Sequence, residues 1–236
     1  TATISGNSAH LDGLTATGAS ATQAYTITVN NAFTLNQGAT ISAATTGSVS
    51  FSQALSDAFS NLVTGGGAGT LVADMNAIVA RAGNVAVTLT DAPLAMDADA
   101  VTDMNALLAA TTGTVTATVN GNSADLDGLT SDAASNATNA LTITVNDTAT
   151  AASGAAIADA TNAATVDFSA GGITDSFGAV VDGTAVSANM QKVDAKDADV
   201  NVTISGTVAN MSAGNVTGLN ALMNATTGTV TATIDG

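Results

Sequence analysis

The chain repeats itself, at a spacing that leaves few folds open. TATISG occupies 1–6, TATVNG 116–121 and TATIDG 231–236, so the motif returns every 115 residues. Around it, NSAHLDGLT at 7–15 matches NSADLDGLT at 122–130, and 87–119 aligns without a gap to 202–234. The matches divide the chain into one repeat over 1–115, a second over 116–230 and the start of a third over 231–236. Because it opens at Thr1, inside a repeat and with neither Met nor signal peptide, it reads as a window in a longer repetitive polypeptide. Self-similarity at a fixed period marks arrays in which each element completes its neighbour's core.

Two periodicities alternate inside each repeat. YTITV (25–29), SVSFS (48–52), AVTLT (86–90), TVTATV (114–119), LTITV (141–145), TVDFS (165–169) and VNVTIS (200–205) alternate apolar residues with Thr and Ser. That is the pattern of half-buried strands. Val115, Ala117 and Val119 point to one side, and Thr114, Thr116 and Thr118 to the other. Elsewhere the spacing is helical: Val101, Met104, Leu107 and Leu108; Val216, Leu219, Leu222 and Met223; and Leu55, Phe59, Leu62 and Val63, mirrored by Ile173, Phe177, Val180 and Val181. Asp97 and Ser212 stand where N-caps belong, and Gly47, Gly113 and Gly228, each in an ATTG tetrad, stand where a helix must stop. Strands returning every 23–37 residues or so, with short crossovers between them, predict parallel pairing. The expected fold is a repeat solenoid, a parallel β-sheet with short helical or irregular crossovers (an α/β solenoid or β-helix-like array) of about four coils per repeat. At about 4.8 Å per strand, each repeat would then rise roughly 19 Å.

Composition narrows the function. Hydrophobic residues make up 46% of the chain but aromatics only 3%, so Ala and Val must fill a thin core. All 19 acids are Asp, and against them stand only Arg81, Lys192 and Lys196, for a net charge of −16. Such a chain repels nucleic acid and has no polybasic patch for a membrane surface. No apolar run is long enough to span a bilayer, and without Cys there are no disulfides or thiolate metal sites.

The catalytic inventory is thin. His10 is the only histidine and its counterpart one repeat later is Asp125, so it reads as a surface residue. No GxSxG surrounds a serine, and GGGAGT at 65–70 lacks the lysine of a phosphate loop and reads as a flexible turn. An enzyme is not expected. The candidate metal ligands are Asp97 and Asp99 in MDADAVTD, and Asp194, Asp197 and Asp199 in VDAKDADV, whose close carboxylates suit Ca²⁺. The cofactor expectation is therefore none, or Ca²⁺ at these residues. Arg81 and Lys196 stand 115 residues apart, each before a strand, which suggests an ion pair, for Lys196 with a neighbouring Asp or equally between chains. The outward Thr rows could also meet carbohydrate, ice or another sheet.

ATTGTVTATV and ATTGTVTATI, with LDGLT and then YTITVN or LTITVN, resemble repeats of very large secreted or cell-surface proteins of cyanobacteria, some of them haemolysin-type calcium-binding proteins. The resemblance implies a secreted or surface location and a structural role. The expected function is an extracellular filament, surface layer or matrix fibre built by end-to-end stacking, with the chain itself as partner. The alternative is an adhesin-type module whose Thr-rich strand faces contact a glycan or surface.

Overall fold

Branched apolar residues alternating with Thr and Ser form strands at every run named above. The computed structural model describes residues 2–14, 24–163, 165–208 and 211–235. In chain order the elements begin with β1 (Thr3–Gly6), α1 (Ser8–Leu11), β2 (Thr26–Val29), α2 (Leu35–Ala43), β3 (Val49–Phe51), β4 (Leu55–Asp57) and α3 (Phe59–Leu62). Next come α4 (Ala73–Val79), β5 (Val87–Leu89), β6 (Leu94–Met96), α5 (Ala98–Ala110), β7 (Thr114–Gly121), α6 (Ser123–Leu126) and β8 (Thr138–Val145). Then follow α7 (Ala151–Asp159), β9 (Val166–Asp167), β10 (Ile173–Asp175), α8 (Phe177–Val180), β11 (Val181–Asp182) and β12 (Ala185–Val186). The last are α9 (Ala188–Asp194), β13 (Val202–Val208), α10 (Ala213–Ala225) and β14 (Val230–Ile234).

The chain forms two compact units, one of Thr1–Leu94, Thr102–Thr118 and Ala134–Ala140, the other of Ala95–Val101, Val119–Ala133 and Leu141–Gly236. In the first, β1, β2 and β3 pair in parallel, with Ile4 opposite Ile27 and Ile27 opposite Val49. There too β4, β5 and β7 pair in parallel, with Leu55, Val87 and Val115 in one row. In the second unit β8 pairs in parallel with β9, and β10, β13 and β14 do so with one another. The fold is α/β, with parallel sheets and helices, and among the described residues no sheet closes into a barrel. The short hairpin of β11 and β12 is antiparallel.

The inward strand residues Ile27, Val29, Leu55, Val87, Val115, Val119, Leu141, Ile143, Val145, Ile173 and Val202 are fully buried. Ala and Gly bring the helices close enough to cover them. In the first unit a Cβ on Gly38 of α2 would stand 2.8 Å from both Ile78 and Phe33. Phe33 in turn stacks on Phe51 at 4.0 Å. In the second unit a Cβ on Gly154 of α7 would stand 2.9 Å from Ile173 and Val193.

Four helices end alike. After α2, α5, α7 and α10 stand Thr45, Thr111, Thr161 and Thr226, all buried. Their hydroxyls donate to the carbonyls of Tyr25, Val85, Leu141 and Val200 at 2.6–2.7 Å. The same oxygens accept the N–H of Gly47, Gly113, Ala163 and Gly228 at 2.9–3.0 Å. Each threonine thus joins the end of its helix to an earlier strand in the sheet. Here the glycines of the ATTG tetrads find their reason. None of the three is among the positive-φ glycines, so they are not left-handed caps. A Cβ would instead meet a backbone oxygen: Tyr25 O at 2.2 Å for Gly47, Val85 O at 2.4 Å for Gly113, and Asp199 O at 2.3 Å for Gly228.

Two stripes read as helical are mixed. Leu55 lies in β4, Phe59 and Leu62 in the single turn α3, and Val63 in an antiparallel bridge to Leu71; Ile173, Phe177, Val180 and Val181 divide likewise among β10, α8 and β11. An i, i+3 pair followed by an extended residue imitates a longer helix. The GGGAGT turn is also pinned rather than loose. Gly65, Gly66, Gly67 and Gly69 have positive φ, and Asp103, 2% exposed, accepts the N–H groups of Gly67 and Gly69 at 3.2 and 2.8 Å. At the position 115 residues on stands Gly218, where a Cβ would stand 2.4 Å from Val181 and 2.7 Å from Gly183 O. The shorter turn there fills the space that a carboxylate takes in the other copy.

Thr111→Val keeps the side-chain shape but leaves the Val85 carbonyl without its hydroxyl, and should cost about 1–3 kcal/mol in urea unfolding. Gly113→Ala should cost a similar amount by overpacking. A loss under about 0.5 kcal/mol for both, the usual range of surface substitutions, would contradict the role given to this junction.

Candidate functional site

The acidic segment after α9 gathers most of the chain's polar chemistry. Ser187 caps α9 by accepting the Met190 N–H, and the helix ends at Asp194, so that Lys192 and Lys196 lie one turn apart. Lys192 Nζ sits 2.6 Å from Asp159 Oδ2, both side chains being nearly half exposed, a pair worth under about 1 kcal/mol. Lys196 does not pair with an Asp. Its Nζ donates to the carbonyls of Thr161 and Ala163 at 2.9 and 2.7 Å, just past the end of α7. Arg81 does the same past α2, donating to Thr46 O at 3.1 Å. Both cations therefore meet carbonyls at the negative end of a helix, not carboxylates. A cleft of about 440 Å³ lies between the lysines and Ser131, Asp132 and Asp159, and another of about 390 Å³ borders Asp167, Lys196, Asp197 and Asp199.

Asp197 Oδ2 accepts the Phe168 N–H at 2.8 Å. Burial pushes its carboxyl up to about 6, and neighbouring Asp199 pushes in the same direction against the Phe168 bond. Burial also raises Asp194, whose Oδ1 is enclosed without a hydrogen-bond partner. Asp97 accepts the Ala100 N–H at 2.8 Å and so caps α5, and Ser212 caps α10, as the sequence leads one to expect. Asp99 is exposed in the first turn of α5. Asp197 and Asp199 are the two calcium candidates brought together, and among the described residues no three His, Cys or Asp side chains converge as a metal site would require. His10 is exposed at the end of α1.

Other acids with defined work are ones the sequence reading passed over. Asp91 accepts the Phe59 N–H (2.6 Å), Asp147 the Ser123 N–H (2.7 Å) and Asp175 the Ala151 N–H (3.1 Å), while Asn31 accepts that of Ser8 (2.7 Å). Each meets a donor in the first turn of α3, α6, α7 or α1. At α1, α3 and α6 the helix's own N-cap residue provides no such bond. The caps come from the last residue of a later strand or from just beyond it, and a carboxylate one methylene farther out would overshoot them. The available signal, for three of the four, was an Asx one or two residues after a strand run, at Asn31, Asp91 and Asp147.

The outward Thr rows are in register. Ser56, Thr88 and Thr116 align in the first unit and Thr174, Thr203 and Thr231 in the second, all at least partly exposed. No helix among the described residues is long and apolar enough to cross a membrane. No known family matches the chain, and neither a curated protein nor a solved structure does.

Asp197 gives a pH test. Its folded pKa lies above the unfolded 3.8, so its contribution to stability is present below pH 3.8 and is lost as pH rises through about 6. Asp197→Asn still offers an oxygen to Phe168 N–H. It should be more stable than the parent at pH 7, and the difference in melting temperature should shrink towards pH 4. A pH-independent difference would contradict the assignment.

Proposed function

We propose that the chain is a structural repeat protein, an α/β solenoid that builds a filament, surface layer or matrix fibre outside the cell by end-to-end stacking. The observation that carries this reading is that the outermost strands of two parallel sheets, β1 and β14, bear one pattern. T-A-T-I runs through 1–4 and 231–234, and among the described residues each strand has a single partner. A parallel sheet whose strands carry one recurring pattern is extendable in register by a further repeat or a further chain. The links that join successive segments, a Thr hydroxyl, a close glycine and an Asp cap, all address backbone, so a further segment needs little more than these residues to be accepted. Secretion belongs to the same proposal, supported by the resemblance to cyanobacterial surface repeats and by a Cys-free chain of small residues.

Electron microscopy of concentrated protein, averaged along any fibre axis, tests the proposal. Filaments or sheets with an axial repeat of roughly 19 Å, or a small multiple, are expected. Dispersed particles at every concentration and ionic strength would overturn it. The in-register Thr rows favour one other reading, a glycan- or surface-binding face. Thr88→Lys with Thr116→Lys would then abolish retention on a polysaccharide column, whereas the structural reading expects no retention to lose.

A further inference from the structure

We infer that the cleft of about 440 Å³ at the end of α7 is a binding site for a neutral saccharide unit, a ring that bears adjacent hydroxyls. Ser131, Asp132, Asp159, Thr161, Lys192 and Lys196 line it, and all lie in one compact unit. The site holds for a single chain, whether or not chains stack.

Comparison of the two repeats shows what has been placed there. In both, a pair of helices packs together, α2 on α4 and α7 on α9. Both α2 and α7 end two residues before a junction threonine, Thr45 or Thr161. Yet α2 ends in Ala43 where α7 ends in Asp159, and Ala77 of α4 stands 115 residues before Lys192. In the sequence, Ala16 and Thr17 likewise stand 115 residues before Ser131 and Asp132. Of the four charged residues of the cleft, Lys196 alone has a charged counterpart, Arg81. The helix pair therefore forms without Asp159 and Lys192, and a half-exposed ion pair adds under about 1 kcal/mol to it. Folding does not account for these charges.

Their chemistry selects the ligand. Each lysine ammonium carries three N–H donors. Lys192 directs one to Asp159 and Lys196 two to the carbonyls of Thr161 and Ala163, which leaves two donors on the first and one on the second. Beside them stand carboxylates, which only accept, and the hydroxyls of Ser131 and Thr161, which do both. A sugar hydroxyl also donates and accepts, so adjacent hydroxyls can bridge Lys192 Nζ and Asp159 Oδ2, themselves 2.6 Å apart. With two cations against two carboxylates, the cleft favours neither an anion nor a cation. Ala133 and Ala158 are its apolar lining, too little to anchor an aromatic or long aliphatic group. The volume falls among those of small-molecule sites, about 300–1,000 Å³.

The test is an NMR titration of the isotope-labelled full chain with the methyl glycosides of glucose, mannose and galactose at millimolar concentrations. At least one should shift the amides of Asp132, Asp159 and Lys192 saturably. Asp159→Ala with Lys192→Ala restores the residues of the first repeat, and should weaken binding at least tenfold while the melting temperature stays close to the parent's. Thr88→Lys with Thr116→Lys should leave binding unchanged. Equal shifts with sodium acetate would reduce the effect to attraction of any anion to the lysines and overturn the site. Binding that survives the double Ala variant, shifts at Thr88 and Thr116 in place of the cleft, or no saturable shift with any glycoside would overturn it too. None of these results bears on end-to-end stacking.

Discussion

Everything in this fold depends on one buried hydroxyl recurring at the end of a helix. Thr45, Thr111, Thr161 and Thr226 each hold a carbonyl in or just before an earlier strand and an N–H two residues ahead. A helix must stop, turn and begin a parallel strand within a few residues, and both polar groups would otherwise be buried unpaired, at a cost of about 1–3 kcal/mol each. The threonine settles both at once and fixes how closely the new strand approaches the old one. That closeness explains the glycine two positions after Thr45, Thr111 and Thr226, which yields its side chain to a backbone oxygen. With so few aromatic residues, a thin core of Val, Ile, Leu and Ala depends on such close backbone approach.

The acidity follows from the same economy of short reach. Helices of four residues, such as α1, α3 and α6, have no length over which to bury their ends, and their first-turn donors are met by Asn31, Asp91 and Asp147 arriving from beyond later strands. Asp serves there and at the caps of Asp97 and in the pinned turn of Asp103. The charge of −16 is in part the accumulation of these local duties, in a chain whose three cations go mostly to helix ends: Arg81 and Lys196 to carbonyls, Lys192 to Asp159 at the end of α7.

The strands were legible because alternation of Val or Ile with Thr depends on one face being buried, and pairing was legible because their spacing leaves room for crossovers. The longer helices α5 and α10 showed through Leu and Met at helical spacing. By contrast α2 (LNQGATISA) and α7 (AASGAAIAD) were missed, because small residues on both faces blur the apolar stripe; it is tight packing against Ile78 and Val193 that makes Gly38 and Gly154 tolerable in a helix. The pairing of Lys196 with a neighbouring Asp failed because sequence shows neighbours in the chain and not the carbonyls of Thr161 and Ala163. Asp103 was invisible for the same reason, since its partners lie more than thirty residues away in a glycine turn. The inward half of the α10 stripe, Leu219 and Leu222, is buried as its spacing requires, while Val216 and Met223 face outward.

Native-state hydrogen exchange measures the central claim, that the threonine junctions belong to the core and not to the loops. The amide protons of Gly47, Gly113, Ala163 and Gly228 all point at a threonine oxygen. The account predicts that those of Gly47, Gly113 and Ala163 exchange only through global unfolding, with the same dependence on denaturant as the amides of Ile27, Val87 and Ile143 in the buried strands. Exchange at the rate of open turn residues such as Gly66, with no dependence on denaturant, would contradict it.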